Sequence, residues 1–495
     1  MATRTTIKAI QDIMRKDVGV DGDAQRIGQL VWMLFLKIFD DREAEQALIA
    51  DEFESPIPEP LRWRSWATDE EGITGDALLE FVNGQLFPTL KELPTDGPTR
   101  ARALLIREVF ADTYNYMKSG TLMRQVINKL NSDIDFNDSK KRHALGDIYE
   151  KVLRDLQNAG NAGEYYTPRS VTNFVVRMVN PRLGETVLDP ACGTGGFLTC
   201  AIDHVRTREV KTPAQEARVH RSIRGVEKKP LPHLLCITNM ILHGVDAPSI
   251  RRDNALARPL RDYSERDRVD IIVTNPPFGG EEEDRIKHNF PAALRSAETS
   301  LLFLQLVVAA LRESGRCGIV LPHGFLFSDG PGERVREMLL KKCDLHTVVR
   351  LPEGVFAPYT DIPVNLLFFD KRGPTKEVWF YELPPPPNGK KYTKSKPLPD
   401  AAFEPVIEWW GGDSRDGRSR SERAWKVAVD AIRADRFNLD QHNPSTKNLQ
   451  DADPAVLSRE IAEHEQELHS LLAEMVTKLE LAMQRPPDGS TRGPR

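Results

Sequence analysis

The residues of this chain most suited to chemistry form one short segment, Asn275-Pro276-Pro277-Phe278. The segment follows the apolar run Val269–Thr274, and this order predicts a buried strand that stops abruptly at its carboxyl end. The prolines fix φ and remove two backbone donors, so their carbonyls and the Asn275 side-chain carbonyl are left as acceptors in a stiff loop. Such a loop can hold a planar amino group by its N–H bonds while Phe278 stacks on it. Methyl transfer to an exocyclic amine needs this grip.

A glycine-rich turn forms a second candidate site. It follows the apolar segment Val187–Asp189, extends to Gly196 and leads into a predicted helix at Phe197–Ile202. In an open α/β sheet the first strand-to-helix turn is where a nucleotide-like cofactor lies, and glycines let the backbone approach it closely. We therefore expect a side chain at Gly195 to crowd the cofactor, although an ordinary tight connection would also use glycines.

Acidic residues end the next two predicted strands. Glu227 closes Ile223–Glu227, and Asp253 follows the strand that begins near Ile250. A carboxylate at the first position can accept both ribose hydroxyls of a cofactor, and one at the second can accept from an adenine amino group. Alone, each acid would more often be a solvated loop residue. Their order between the glycine turn and Asn275 favours cofactor binding.

In combination these motifs resemble those of the N6-adenine DNA methyltransferases, and more narrowly those of the modification (M) subunit of type I restriction–modification systems. The segments similar to that family's first cofactor motif, glycine motif and catalytic motif are Gly163–Arg169, Asp189–Phe197 and Asn275–Phe278, respectively. Further stretches that resemble the family are Leu30–Glu43, Gly146–Glu150 and Leu351–Phe356. The resemblance therefore covers most of the chain, from Ile7 to Lys371.

The resemblance implies an α/β fold: a Rossmann-like S-adenosylmethionine-dependent methyltransferase core with a helical N-terminal domain and a C-terminal helical tail. It also implies methyl transfer from S-adenosylmethionine to N6 of an adenine in double-stranded DNA. The N6 lone pair is delocalised into the ring, so hydrogen bonds from both N6 hydrogens to Asn275 Oδ1 and the Pro276 carbonyl would make the nitrogen more nucleophilic. Because the target is hidden in a duplex, the base must be flipped out.

The same resemblance implies partners and site residues. The partners are a specificity (S) subunit and a restriction (R) subunit, with two copies of this chain per specificity subunit. Catalysis is expected to involve Asn275, Pro276, Pro277 and Phe278, and stacking on the target base to involve Phe278 and Phe356. The residues expected to bind the cofactor are Glu164, Tyr165, Tyr166, Thr167, Pro168, Arg169, Asp189, Gly193, Thr194, Gly195, Gly196, Glu227, Asp253 and Asn254. No residue is expected to bind a metal.

Other functions stay open at this level. A solitary DNA adenine methylase would carry the same motifs, and release-factor glutamine methyltransferases use a similar motif on a side-chain amide, although they are shorter. Cytosine-N4 enzymes usually carry Ser in place of Asn. A scaffold that only binds cofactor and partners is a further class, and the intact Asn275 and Phe278 argue against it.

The charge of the chain bears on its partners. It has 495 residues, enough for two or three domains, and a net charge of −5. A stand-alone DNA binder usually has a strongly basic surface, so other subunits are expected to supply part of the attraction to DNA. Arg218–Arg224 and Arg251–Arg252 are local basic stretches that fit either a solvated face or contacts with phosphate.

The cysteines and the hydropathy of the sequence help to predict the cellular compartment of the protein. The five cysteines include no CxxC pair, and they indicate reduced, buried thiols in a cytoplasmic protein rather than a metal site. The first residues show no signal-peptide core. The most apolar window, Leu30–Phe39, is too short to span a bilayer and contains Lys37.

The chain is predicted to fall into successive regions. Residues 1–137 form a helical domain and 138–382 the methyltransferase domain. Residues 383–454 form a linker, beginning at Pro384–Pro387, and a small C-terminal region. Residues 455–485 form an amphipathic helix for a coiled coil or for packing on the same chain, and 486–495 are expected to be disordered. The apolar seam of this helix consists of Leu457, Ile461, His464, Leu468, Leu471 and Met475.

Further expectations concern the later part of the methyltransferase domain. After a helix at Leu301–Arg312, strands are expected at Gly318–Pro322, Leu345–Leu351 and Asn365–Phe369, the last as an antiparallel end of the sheet. The acidic stretch Glu281–Arg285 is expected to be a mobile, solvated loop that orders when DNA binds.

Overall fold

The structure, a computed structural model, describes residues 2–49, 52–133, 149, 166–387, 389–445, 465 and 469. Residues up to Gln441 belong to one compact unit, and those from His442 belong to a second. The expected seam at 457–475 and the predicted cofactor residues Glu164 and Tyr165 lie outside the described residues. The domain boundaries stay a prediction.

The first 133 residues are helical, as expected. The helices are α1 (Ala2–Met14), α2 (Asp23–Ile49), α3 (Trp63–Trp66), α4 (Gly75–Glu80), α5 (Phe87–Lys91), α6 (Arg100–Ala111) and α7 (Gly120–Asp133). A single π-helical segment, Phe81–Leu86, joins α4 to α5. Aromatic residues dominate the interior: Trp32 and Phe35 of α2 are fully buried. The Trp32 ring meets the Phe87 ring edge to face with 5.1 Å between centroids.

Polar contacts tie this helical region together and to the rest of the unit. The buried Asp17 carboxylate, just after α1, accepts the backbone N–H groups of Lys118 and Ser119 at 3.0 and 2.8 Å. It thereby holds the end of α1 against the start of α7. Arg42 Nε of α2 donates to Asp246 at 2.8 Å, so the helical region contacts the segment that precedes the third strand of the sheet.

A nine-stranded sheet organises the described residues after 166. Its strands are β1 (Val187–Asp189), β2 (Ile223–Glu227), β3 (Ser249–Arg252), β4 (Val269–Thr274), β5 (Leu311–Pro322), β6 (Asp344–Arg350), β7 (Val364–Asp370), β8 (Glu377–Glu382) and β9 (Ala424–Ala428). The spatial order is β3-β2-β1-β4-β5-β7-β6-β8-β9. Strands β1 to β5 are parallel, β7 is antiparallel to both its neighbours, and β9 is antiparallel to β8.

Helices connect and cover these strands. They are α8 (Arg169–Val179), α9 (Gly196–Glu209), α10 (Pro213–Ser222), α11 (Pro230–Leu242), α12 (Asp284–Lys287), α13 (Thr299–Ala310), α14 (Pro331–Lys342), α15 (Glu404–Trp409) and α16 (Val429–Ala434). Helix α10 starts with a capping box between Thr212 and Gln215 and with Pro213 in its first turn. The parallel strands place their carboxyl ends at one edge of the sheet, where ligands bind in open α/β folds.

Most of the expected elements are confirmed, with three differences. Strand β5 begins at Leu311, seven residues before the expected Gly318, because Leu311 already pairs with Val269 of β4. The preceding helix accordingly ends at Ala310. Strand β7 is antiparallel, as expected, but lies inside the sheet between β5 and β6 rather than at its end.

The third difference is the segment expected to be a linker, Pro384 to Lys396, which was expected to precede a small region with Trp409 and Trp410. Both lie between the paired strands β8 and β9: the Tyr392 N–H of the linker segment donates to the Glu353 carbonyl at 3.0 Å, and helix α15 lies in the small region. Phe403 stacks on Phe174 of α8 with 4.3 Å between ring centroids, and Trp410 meets Phe368 of β7 edge to face at 4.9 Å. Aromatic packing therefore makes this segment part of the folded unit.

The structure also bears on the cysteines and on hydropathy. All five cysteines are buried free thiols, as expected. Among the described residues, no helix is both long and apolar enough to cross a membrane. Within the same part of the chain, no cluster of three or more His, Cys, Asp or Glu side chains could hold a metal ion.

Candidate functional site

The Asn-Pro-Pro-Phe segment leaves the carboxyl end of β4 as the sequence predicts. Asn275 is half-buried, and its Nδ2 donates to Thr167 Oγ1 at 3.0 Å. Its Oδ1 is buried and has no hydrogen-bond partner among the described residues. A buried acceptor without a partner is unfavourable, and such an atom at the end of a central parallel strand is typical of a site that receives a donor from a ligand.

Thr274, the last residue of β4, contributes a contact that the sequence analysis missed. Its Oγ1 donates to Asp189 Oδ1 at 2.7 Å, which joins the ends of the neighbouring strands β1 and β4. The same Asp189 oxygen accepts the Ala191 N–H at 3.1 Å. Burial raises the pKa of Asp189 to about 7, with a smaller contribution from the Glu227 charge, although both hydrogen bonds favour the carboxylate.

Two glycines of the turn have backbone conformations that other residues rarely adopt. The φ angle is 52° at Gly193 and 83° at Gly195, which is the left-handed region. A Cβ on Gly195 would lie 2.9 Å from Cys236 Sγ in α11. A side chain at Gly195 would therefore strain the backbone and collide with α11, and the expectation that it would also crowd the cofactor stays a prediction.

Glu227 connects three of the predicted cofactor-binding segments. Its carboxylate is buried, and its two oxygens accept the Gly193 N–H at 3.0 Å and the Lys229 N–H at 2.7 Å. Its backbone carbonyl accepts the Asp253 N–H at 3.0 Å. The glycine turn, the end of β2 and the end of β3 are thus held together around this one residue.

The acidic stretch Glu281–Arg285 is exposed at four of its five residues, as expected for a solvated segment, and Glu282 is the half-buried exception. Glu282 Oε2 accepts from Asn254 Nδ2 at 3.2 Å and lies 3.5 Å from Lys228 Nζ. Asn254 Oδ1 accepts the Leu256 N–H, so hydrogen bonds at both Nδ2 and Oδ1 fix the orientation of the Asn254 side chain. Glu282 thus belongs to the site, and its position soon after Asn275 was the available signal.

Part of the first cofactor motif is also placed. Tyr166 packs against the main hydrophobic core, and Pro168 precedes the first residue of α8. Arg169 Nη1 donates to Thr199 Oγ1 at 2.8 Å, so its guanidinium lies against the start of α9. Together with the contact between Thr167 and Asn275, these positions bring the motif to the carboxyl edge of the sheet.

Phe278 and Phe356, the expected stacking pair, touch each other. Their ring centroids are 6.0 Å apart and the planes are 72° apart, an edge-to-face contact. Phe278 is half-buried whereas Phe356 is only 3% exposed. Phe356 therefore supports the Phe278 ring from the side, and stacking of Phe356 on a base would require its ring to move. That role stays a prediction.

A second buried polar residue that the sequence analysis missed is Asn239 in α11. Its side-chain amide donates to the Thr194 carbonyl at 3.0 Å and so fixes the middle of the glycine turn. Asn239 is 3% exposed and is the only amide side chain in a mainly apolar helix. An isolated amide in such a run is a usable sequence signal, because a buried polar group needs a partner.

These residues fit S-adenosylmethionine. Its sulfonium and ammonium groups are positive, and the buried carboxylates of Asp189 and Glu227 lie on either side of the glycine turn. The turn leads directly into α9, whose first N–H groups can receive a carboxylate. The donor set, the charge and the backbone conformation are those that this cofactor needs.

Comparison with known proteins decides the family. Residues 140–452 match the N-6 DNA Methylase family and residues 3–130 match the HsdM N-terminal domain. The type I restriction enzyme EcoEI methylase subunit of Escherichia coli is 55% identical over 474 residues, which are 95% of this chain and 96% of that protein. This chain belongs to the N-6 DNA methylase family of type I methylase subunits.

Two further relatives agree with this assignment. The EcoKI methylase subunit of Escherichia coli K12 is 28% identical over 84% of this chain and 78% of its own length. A solved chain of a type I R-M system is 38% identical with a TM-score of 0.79, and the match covers 98% of this chain and 99% of that one. The resemblance found in the sequence and the α/β methyltransferase fold are therefore confirmed, and the subunit depends on S-adenosylmethionine.

Proposed function

We propose that this methylase subunit transfers the methyl group of S-adenosylmethionine to N6 of an adenine that has been flipped out of double-stranded DNA. The observation that carries the proposal is Asn275 Oδ1, a buried acceptor without a partner among the described residues. The cofactor supplies an activated methyl group on a sulfonium, and the residues of this chain bind and orient the reacting groups.

Asn275 and Pro276 hold the amine. One N6 hydrogen donates to Asn275 Oδ1 and the other to the Pro276 carbonyl, which draws the nitrogen towards a tetrahedral, nucleophilic geometry. Thr167 accepts from Asn275 Nδ2 and thereby points Oδ1 away from itself. The rate enhancement then comes mainly from positioning and electrostatics.

Phe278 provides the surface on which the flipped base stacks, and Phe356 keeps the Phe278 ring in place. Base–aromatic stacking contributes about 1–3 kcal/mol per base. This offsets part of the few kcal/mol needed to unstack and unpair the base. The stiff proline segment between Asn275 and Phe278 sets the distance between the hydrogen-bonding and stacking groups.

The glycine turn would hold the cofactor. Glu227 would orient its ribose, Asp253 and Asn254 would contact its adenine ring, and the first turn of α9 would receive its carboxylate. The fixed hydrogen bonds of Glu227 to Gly193 and Lys229 support this, since they keep the carboxylate in one orientation. Lys228 and Glu282 close the same side of the site.

The subunit is further proposed to act in the cytoplasm as part of a type I complex with a specificity subunit, a restriction subunit and DNA, with two copies of this chain per specificity subunit. The acidic net charge of −5 supports the need for partners in DNA binding. The names and coverage of the type I relatives support the same assembly.

The proposal is tested by substituting Asn275. With tritium-labelled cofactor and duplex DNA, in the presence of the specificity subunit, Asn275→Ala is expected to lower methyl transfer by about 10²–10³-fold. Cofactor affinity by calorimetry should stay the same. Asn275→Asp keeps an acceptor and should retain more transfer than Asn275→Ala, and Asn115→Ala, distant from the site, should behave as wild type.

Nucleoside analysis of the product separates the alternatives. The proposal requires label in N6-methyladenine. Label in N4-methylcytosine or in a protein side chain would replace it with one of the other methyltransferase classes. Near-normal transfer by Asn275→Ala would remove the catalytic assignment.

A further inference from the structure

Among the described residues, no helix covers the outer face of β1, β2 and β3. Parallel strands normally have both faces covered, because each crossover between them carries a helix. Here the crossover from β3 to β4, residues 253–268, consists of short 3₁₀ turns at Ala255–Ala257, Leu260–Asp262 and Glu265–Asp267. Helices α9 and α11 cover the opposite face. The uncovered face is therefore the one on which a helix of the β3–β4 crossover would lie.

Arginines line this open face. Arg224 of β2 is in register with Ser249 of β3, and Val226 is in register with Arg251, so these four side chains share one side of the sheet. Both arginines are exposed. Arg221 at the end of α10 and Arg266 in the crossover extend the set around a groove of about 410 Å³. We refer to it as the arginine groove.

The positive charge of the arginine groove is not neutralised. Arg258, also at its border, forms a two-pronged ion pair with Asp267 at 2.7 and 2.9 Å. In contrast, Arg221, Arg224, Arg251 and Arg266 make no ion pair with any residue that the structure describes. Four cations that lie together without counter-charges repel one another, and an acidic partner would relieve the repulsion.

The floor of the arginine groove identifies the kind of partner. Leu188, Val226, Val269 and Leu306 line it between the arginines. A DNA backbone presents phosphates and sugars, whose small C–H groups form no continuous apolar stripe for such a floor. An amphipathic helix presents both an apolar stripe for the floor and carboxylates for the arginines. A helix is also the element that is missing at this position among the described residues.

We propose that the arginine groove binds an acidic amphipathic helix of another subunit of the type I complex, an inference that rests on the assembly proposed above. The helix completes the layer that the β3–β4 crossover leaves open. Its apolar stripe packs on Leu188, Val226 and Leu306, and its acidic residues pair with Arg221, Arg224, Arg251 and Arg266.

Charge reversal tests the electrostatic part. The full chain is reconstituted with its specificity and restriction subunits, and the affinity for each is measured by mass photometry. Arg224→Glu with Arg251→Glu is expected to weaken binding of one of these subunits by at least about 10-fold. The control with the same charge change, Lys394→Glu with Arg420→Glu, lies on exposed residues outside the arginine groove and should bind as wild type.

Cofactor affinity measured on each variant by calorimetry reports that the methyltransferase core is folded. If the double reversal binds cofactor normally and also binds both subunits as tightly as wild type, the inference is wrong. If the wild-type chain itself binds neither subunit, the proposed assembly fails, which is a different result. Loss of DNA affinity with unchanged subunit affinity would make DNA the occupant and overturn the inference.

Photo-crosslinking tests the occupant directly. Ser249→p-benzoylphenylalanine places a crosslinker between Arg224 and Arg251 in the arginine groove. In the reconstituted complex with duplex DNA, it should join to a segment of another subunit in which Asp and Glu outnumber Lys and Arg. The Arg224→Glu and Arg251→Glu changes should abolish this product. A crosslink to DNA, to a basic segment, or to no partner would each contradict the proposal.

Discussion

The two edges of the sheet use polar residues in opposite ways. At the amino-terminal edge of the parallel strands, charges are paired: Arg316 forms a two-pronged ion pair with Glu185 at 2.7 and 2.9 Å, and Asp370 Oδ2 lies 2.6 Å from Arg415. Around the candidate site at the carboxyl-terminal edge, Asp189 and Glu227 accept backbone N–H groups, and Asn275 Oδ1 accepts from no described residue.

This difference separates residues that stabilise the fold from residues that bind substrate and cofactor. Paired groups at the amino-terminal edge have no remaining need of a ligand. His346, buried beside Asp370, has its pKa lowered well below the usual value by burial and by the nearby Arg415, Arg418 and Arg372, so it is neutral. At the other edge, hydrogen-bonding capacity is kept for substrate and cofactor. Substitutions at the first edge should therefore change the free energy of unfolding, and those at the second should change binding and transfer.

The largest effect on stability is expected for Asp370→Ala. Asp370 is 2% exposed, and its loss leaves Arg415 and Arg372 without their shared carboxylate. Breaking a buried ion pair costs about 3–5 kcal/mol, measured as the free energy of unfolding in urea. Glu404→Ala, which removes an exposed ion pair with Arg177, should cost at most about 1 kcal/mol. Equal effects of the two substitutions would contradict the comparison.

Gly195→Ala tests whether the turn needs a glycine for its backbone conformation and for its close approach to α11. The left-handed φ of 83° and the 2.9 Å approach to Cys236 predict a loss of about 2 kcal/mol in the free energy of unfolding. Gly412→Ala is the control, because φ there is 64° and no atom lies within 4 Å of the added Cβ, so only the backbone strain applies. Lost cofactor affinity without lost stability would instead indicate crowding of the cofactor.

Glu227→Gln should act on the cofactor. The amide keeps the size of the side chain but faces one of the two backbone N–H groups with a donor and removes the negative charge. We expect cofactor affinity to fall about 10-fold, which corresponds to about 1.4 kcal/mol, measured by calorimetry. Glu185→Gln, at the other edge, should leave cofactor affinity unchanged while weakening the Arg316 pair. The same affinity for both variants would place the cofactor elsewhere.

The smallest effect is expected for the stability of Asn275→Ala, since loss of the Nδ2 hydrogen bond to Thr167 is offset by removal of the buried Oδ1 acceptor that has no described partner. The free energy of unfolding should stay within about 0.5 kcal/mol of wild type. Asn180, at the amino-terminal edge, donates to Asp413 and accepts from His204 and Arg208. Asn180→Ala should therefore cost about 1–2 kcal/mol. A larger loss for Asn275→Ala than for Asn180→Ala would show that Asn275 has a structural role.

Local sequence was sufficient to predict the bounds of a strand wherever an apolar run stops at a residue that cannot continue the run. The bounds of β2 and β4 agree with the residues expected, because β2 ends at an acid and β4 at Asn-Pro-Pro. The candidate site, from the glycine turn to Phe278, also followed from local order: residues at the ends of parallel strands meet at one edge. The apolar run Val378–Tyr381 of β8, which stops at Glu382, was an unused signal of the same kind.

Only the tertiary structure decided the contacts between distant segments. Thr274 joins Asp189, Thr167 occupies Nδ2 of Asn275, and Glu282 turns back to Asn254; these pairs are set by strand register and loop path, which local spacing does not encode. The same holds for β9, which pairs with β8 across the segment expected to be a linker. In the sequence alone, Arg224 and Arg251 resemble ordinary solvated residues. The register of β2 and β3 shows that they share one face of the sheet, which no described helix covers. Sequence determined which groups are available, and packing determined which of them are left without a partner.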